Sequence, residues 1–86
     1  MTHAAALAAH FAAQDRLNRA AVAVHAAMLA YAVAGRAVCE SGLDWDVCRT
    51  YEAAAVTLDA TRAEYAEAEH AIRLTSASAY ASAEAL

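Results

Sequence analysis

Proline is absent from this 86-residue chain, lysine is absent too, and glycine occurs only twice, at Gly35 and Gly42. Alanine fills roughly a third of the positions, and the two glycines lie close together near the middle. A chain with no helix breaker outside one central spot is expected to form two long helices that fold back on each other. The missing lysine makes all six basic residues arginine, the bias a GC-rich genome produces without functional selection. Basic charge is also too sparse to form a stripe, and nothing is available to neutralise a run of phosphates, so nucleic acid is not an expected partner.

Signals for export and for catalysis are missing as well. Met1-Thr2-His3 and the alanines that follow have neither the basic n-region nor the leucine-rich core of a secretory leader, so a cytoplasmic location is expected. Between Arg19 and Arg36 the chain carries no formal charge, but this stretch is mostly alanine and shorter than the roughly 20 residues of a membrane span. No transmembrane segment is expected. Zinc-type Cys/His spacing, a Gly-rich phosphate loop and a nucleophile elbow are all absent, so no enzyme activity, cofactor or metal is expected. His3 and His10 are seven residues apart on one helix face, about 10 Å, too far to share a metal within one helix.

What is present argues for assembly. At this length only one domain fits, residues 1–86, and a lone pair of helices has no third layer against which to bury a second face. Apolar residues reach 62%, above the roughly 45–50% of ordinary soluble domains. The expected fold is therefore all-α: an antiparallel two-helix hairpin that completes a four-helix or larger bundle by oligomerisation or by binding a partner. Charge is split between the halves. Through Val38, Asp15 faces Arg16, Arg19 and Arg36, a balance of +2, whereas from Cys39 onward nine acids face Arg49, Arg62 and Arg73, a balance of −6. The halves are set to attract each other or their counterparts in a second copy.

Helix 1 is expected over about 3–40, capped by Thr2, with Leu7, Gln14, Ala21, Met28 and Gly35 on one core line and His3, His10, Leu17, Val24, Tyr31 and Val38 on the other. Phe11, Val22, Leu29 and Val33 fall outside that seam, so the middle of the helix is apolar on more than one side. The turn is expected at 41–44. Gly42 reads as a left-handed C′ residue, Leu43 and Val38 as the hydrophobic pair of a Schellman ending with Leu43 also stapling toward Cys48, and Asp44 as the cap of helix 2. Helix 2, about 45–75, repeats with 4-3 spacing through Val47, Tyr51, Ala54, Leu58, Thr61, Tyr65, Ala68, Ile72 and Thr75, large residues alternating with small ones. The Ser/Ala-rich segment 76–86 either continues the helix or frays. The oligomer seam is expected to hold Leu17, Val24, Met28, Tyr31, Tyr51, Leu58, Tyr65 and Ile72.

Cys39 and Cys48 flank the turn at a spacing compatible either with a disulfide across the hairpin mouth or with two free thiols in a reducing compartment. Trp45 falls at the hairpin tip, where little of the same molecule covers it, and is the expected anchor for a protein partner, together with Val22, Leu29 and Val33 on the back of helix 1, Tyr80, and the acidic flank of helix 2. The function expected from these features is a non-catalytic interaction protein, an adaptor or inhibitor acting by protein–protein contact, of a size and acidity that suit a phage- or mobile-element-encoded inhibitor.

Two family resemblances bear on this. A hairpin of this size with Trp45 at the central turn resembles the WXG100 proteins exported by type VII systems, and Tyr80 and Glu84 are similar to that group's C-terminal Tyr-x-x-x-Asp/Glu signal; no glycine follows the tryptophan, where the turn reads Trp45-Asp46-Val47. That resemblance implies an exported helical hairpin without a classical signal peptide. Glu67-Ala68-Glu69-His70 resembles the Glu-x-x-His iron-ligand motif of ferritin-like di-iron proteins, which implies a metal-binding hairpin. With Tyr65 and Ala68 facing the core, however, Glu67 and His70 point away from the seam, as a solvated charged face does.

Overall fold

The computed structural model describes residues 2–42 and 44–86. Two helices account for nearly all of them: α1 (His3–Ser41) and α2 (Trp45–Glu84), antiparallel and in contact along their length. The all-α hairpin expected from the breaker-free sequence is the observed fold. It is a rod of 64 × 13 × 13 Å between Cα positions. The two short dimensions are equal, whereas a straight, flat pair of helices would be wide in one direction only. Subtracting one Cα cylinder diameter from 13 Å leaves an interaxial distance of about 8 Å, the close end of the usual range.

Alanine explains the close approach. Among the described residues the buried ones on α1 are Ala6, Ala13, Ala20, Ala27 and Ala34, one per heptad, and those on α2 are Leu58 and Ala68. This corrects half of the expected α1 seam. The line His3, His10, Leu17, Val24, Tyr31 and Val38 is half-buried as expected, but its companion is the alanine line, while Gln14, Ala21 and Met28 are exposed and Leu7 and Gly35 only half-buried. Both candidate lines lie beside the same half-buried row, one on each side. The small residues win because only they let the α1 backbone approach the large residues of α2.

The α2 seam follows the expected 4-3 spacing from Val47 through Thr75 and then continues through Ala79 and Ser82, all half-buried or buried. The Ser/Ala-rich segment is thus helical to Glu84. Register is set by two bonds seven residues apart on both helices: His3 Nδ1 to Ser82 Oγ at 2.9 Å and His10 Nδ1 to Thr75 Oγ1 at 3.0 Å. Extended along the hairpin, this register sets Ala34, Ala27, Ala20 and Ala13 level with Tyr51, Leu58, Tyr65 and Ile72, small against large at each layer.

The ends are capped as the sequence indicates. The Thr2 hydroxyl accepts from the Ala5 N–H at 3.1 Å. Asp44 Oδ1 accepts from the Asp46 and Val47 N–H groups at 2.9 and 3.2 Å. Gly42 closes α1 by donating its N–H to the Val38 carbonyl at 3.0 Å, with φ +70° and ψ −130°. That conformation has positive φ, as expected, but its ψ lies outside the left-handed helical well, in a region that essentially only glycine occupies. Leu43, with its expected Schellman and staple contacts, lies outside the described residues. Gly35, by contrast, interrupts nothing. It sits inside α1, where a Cβ would meet the Tyr51 ring at 3.4 Å, an ordinary van der Waals contact.

Candidate interaction surface

The hairpin's inner face is thin, and two of its polar contacts join α1 to α2 seven residues apart on each helix. Thr75 Oγ1 donates to the Ile72 carbonyl at 3.2 Å and Ser82 Oγ to the Ala79 carbonyl at 2.9 Å, so each hydroxyl has spent its proton. The histidines must then donate from Nδ1, and His10 Nε2 is left to accept from Gln14 Nε2 at 3.3 Å. The result is a chain of contacts running Gln14, His10, Thr75, Ile72.

Nearer the turn, Tyr31 and Tyr51 stack with ring centroids 4.9 Å apart and share a hydrogen bond between their hydroxyls. That bond to Tyr31, reinforced by partial burial, raises the Tyr51 hydroxyl pKa above its ordinary value. Between these two zones Arg16 reaches across from α1. Its Nε and Nη2 donate to the two carboxylate oxygens of Glu64 at 2.7 and 3.1 Å, and Nη2 also reaches Glu67 at 3.4 Å. The Arg16 bond holds the Glu64 carboxyl below the usual carboxylate range, and Glu64 raises Arg16 in return. This bridge realises the attraction between the basic and acidic halves. Its members are not singled out by sequence, because a bidentate pair depends on a register that composition does not reveal.

Leu17, Val24, Tyr31, Tyr51, Tyr65 and Ile72 are half-buried and Leu58 is buried, all within the seam between α1 and α2 of one molecule. Met28 is instead 47% exposed and lines two shallow grooves, one of about 340 Å³ with Tyr31, Ala55, Leu58, Asp59 and Arg62, the other with Ala21, Val24, His25 and Tyr65. Cys39 is exposed and Cys48 half-buried, and both are free thiols, the second of the two states open from their spacing. Glu67 is engaged by Arg16, and Asp15, nearly level with His70 across the hairpin, is paired with Arg19 at 3.2 Å. Among the described residues no group of three or more His, Cys, Asp or Glu side chains is placed to hold a metal ion.

The outer surface is the part that stands unaccounted for. Trp45 is the first residue of α2 and is 79% exposed at the hairpin tip. On the back of α1, Val22, Leu29 and Val33 are 70%, 56% and 71% exposed. With Ala26 they follow i, i+4, i+7, i+11 spacing, a second apolar stripe on the side away from α2. Tyr80 and Glu84 are exposed one turn apart near the other end of the rod, and Phe11, Val56, Leu74 and Leu86 are exposed elsewhere. By length and composition α1 is also apolar enough to cross a membrane. Comparison with known proteins gives no matching family model, no matching curated protein and no matching solved structure.

Proposed function

We propose that this chain is a non-catalytic interaction protein, an adaptor or inhibitor that acts by docking onto another protein through the hairpin tip. The observation that carries this reading is the exposure of Trp45. An indole left in water at the end of a rigid rod is a pre-organised anchor: burying it in a partner's pocket recovers about 2–3 kcal/mol of apolar transfer energy. Little conformational entropy opposes docking, because the Asp44 cap and the Asp46–Arg49 ion pair already fix the first turn of α2. The acidic balance of the second half favours a partner with a basic rim around that pocket, which speeds encounter and makes the on-rate fall with salt.

A membrane fits less well as the surface that α1 meets. In the hairpin register the uncharged stretch of α1 runs alongside Glu52, Asp59, Arg62 and Glu64 of α2, and inserting α1 would carry these charges inward at about 2.5–3.5 kcal/mol each at the bilayer centre.

The test is affinity capture from the native host with wild-type and Trp45→Ala chains, retained proteins being identified by mass spectrometry. The variant should keep its helical circular dichroism and lose the partner by at least about tenfold in affinity, as removal of a central aromatic anchor does. A partner retained equally by both chains would remove Trp45 from the interface.

A further inference from the structure

The back of α1 points to a specific occupant, a second copy of the same chain. The hairpin exposes 6035 Å², whereas a compact monomer of its 9.0 kDa mass exposes about 4,850 Å². The surplus of about 1,200 Å² exceeds the roughly 800 Å² that each partner contributes to a standard interface.

Charge placement then selects both the occupant and its direction. The stripe Val22, Ala26, Leu29 and Val33 is bounded by Asp15 and Arg19 at one end and Arg36 at the other. Asp15 lies seven residues before Val22, and Arg36 lies seven residues after Leu29. A two-fold axis near Ala26 that exchanges Val22 with Leu29 therefore also brings Asp15 of each copy to Arg36 of the other. A parallel pairing would oppose Asp15 to Asp15 and Arg36 to Arg36. Alanine at the axis lets the two backbones approach closely, and the arrangement is isologous, so each contact occurs twice. It also turns both acidic α2 helices outward, away from each other, which a pairing through α2 would not.

We infer that two hairpins associate antiparallel through the backs of their α1 helices, Val22 and Leu29 forming the centre, Val33 flanking it level with Asn18 of the other copy, and Asp15–Arg36 pairs closing its two ends. This rests on the docking role proposed above and divides the surface between two tasks. The α1 stripe is taken by the second copy, and the two Trp45 tips, at opposite ends of the dimer, stay open for the partner.

Sedimentation velocity on the full chain from low to high micromolar concentration provides the test. The wild type should approach twice its 9.0 kDa mass. Leu29→Glu, at an exposed helical position, should keep its helicity and weaken the dimer by at least about 100-fold, because the lost burial and the added charge each count twice across a two-fold axis. Asp15→Arg alone and Arg36→Asp alone should each weaken self-association, and an equal mixture of those two variants should restore it, since every end contact in the mixed dimer is then of opposite sign. A chain that stays at monomer mass throughout, a Leu29→Glu variant that still dimerises, or a mixture no tighter than its components would overturn the inference. Trp45→Ala should dimerise normally. Loss of dimerisation with Trp45-dependent capture intact would sink the pairing alone, whereas a dimer that captures nothing would sink the docking role.

Discussion

Arg16 and Glu64 show what single residues contribute to a hairpin whose interior is mostly alanine. The pair is bidentate and spans the two helices, so it adds a directional constraint where packing alone offers little specificity. Because Arg16 depresses the Glu64 pKa from its reference of 4.5, the pair's stabilisation is present above that value and is lost as pH falls through the lower folded-state value. Thermal melts of wild type and Glu64→Gln should accordingly differ near neutral pH and converge in acid, with the gap narrowing at high salt. A difference that persists unchanged well below pH 4.5 would place the effect elsewhere. Tyr51 acts in the opposite direction: with its pKa raised, its contribution is present below the ordinary tyrosine range and fades only in strong alkali.

Helix ends and helix interiors use glycine for different reasons, and substitutions separate them. Gly42 has φ +70° and ψ −130°, so Gly42→Ala should cost about 1–2 kcal/mol. Gly35 lies within α1 in ordinary helical backbone, where alanine gains up to about 1 kcal/mol over glycine, and its new methyl would only touch the Tyr51 ring edge at 3.4 Å. Urea denaturation should show opposite signs for the two variants. If Gly35→Ala destabilised the hairpin, the Tyr31–Tyr51 stack would be shown to need that gap fully empty.

This is also the scale at which sequence was most and least informative. The missing prolines, the Thr2 and Asp44 caps and the 4-3 row of α2 define local geometry, and each was legible because its cause lies within a few residues. The α1 seam was legible only by half. Met28 and Leu7 are larger than Ala6 and Ala27 and attract an apolar count, but burial here follows the closest backbone approach, for which the sign is alanine recurring at every seventh position. The helical continuation through Ala79 and Ser82 carried the same 4-3 spacing, obscured by residues too small to read as core. Its anchors, His3 and His10, lie on the other helix.

At the scale of the whole molecule, the radius of gyration is 19.0 Å, against about 12 Å for a compact domain of this length. Among the described residues no large side chain is fully buried, and the core is essentially a line of alanines with Leu58. Such a core removes little apolar area from water, while ordering each residue costs roughly 1–2 kcal/mol of backbone entropy. A rod built this way leaves Val22, Leu29, Val33 and Trp45 in water, and the pairing proposed above would cover the three on the back of α1. If two copies pair as proposed, stability depends on concentration by mass action. The most direct test is the thermal midpoint of the purified chain, followed by circular dichroism across a hundredfold range of protein concentration. The midpoint should rise steadily with concentration. A sharp, cooperative transition at one high temperature, unchanged by dilution, would contradict it.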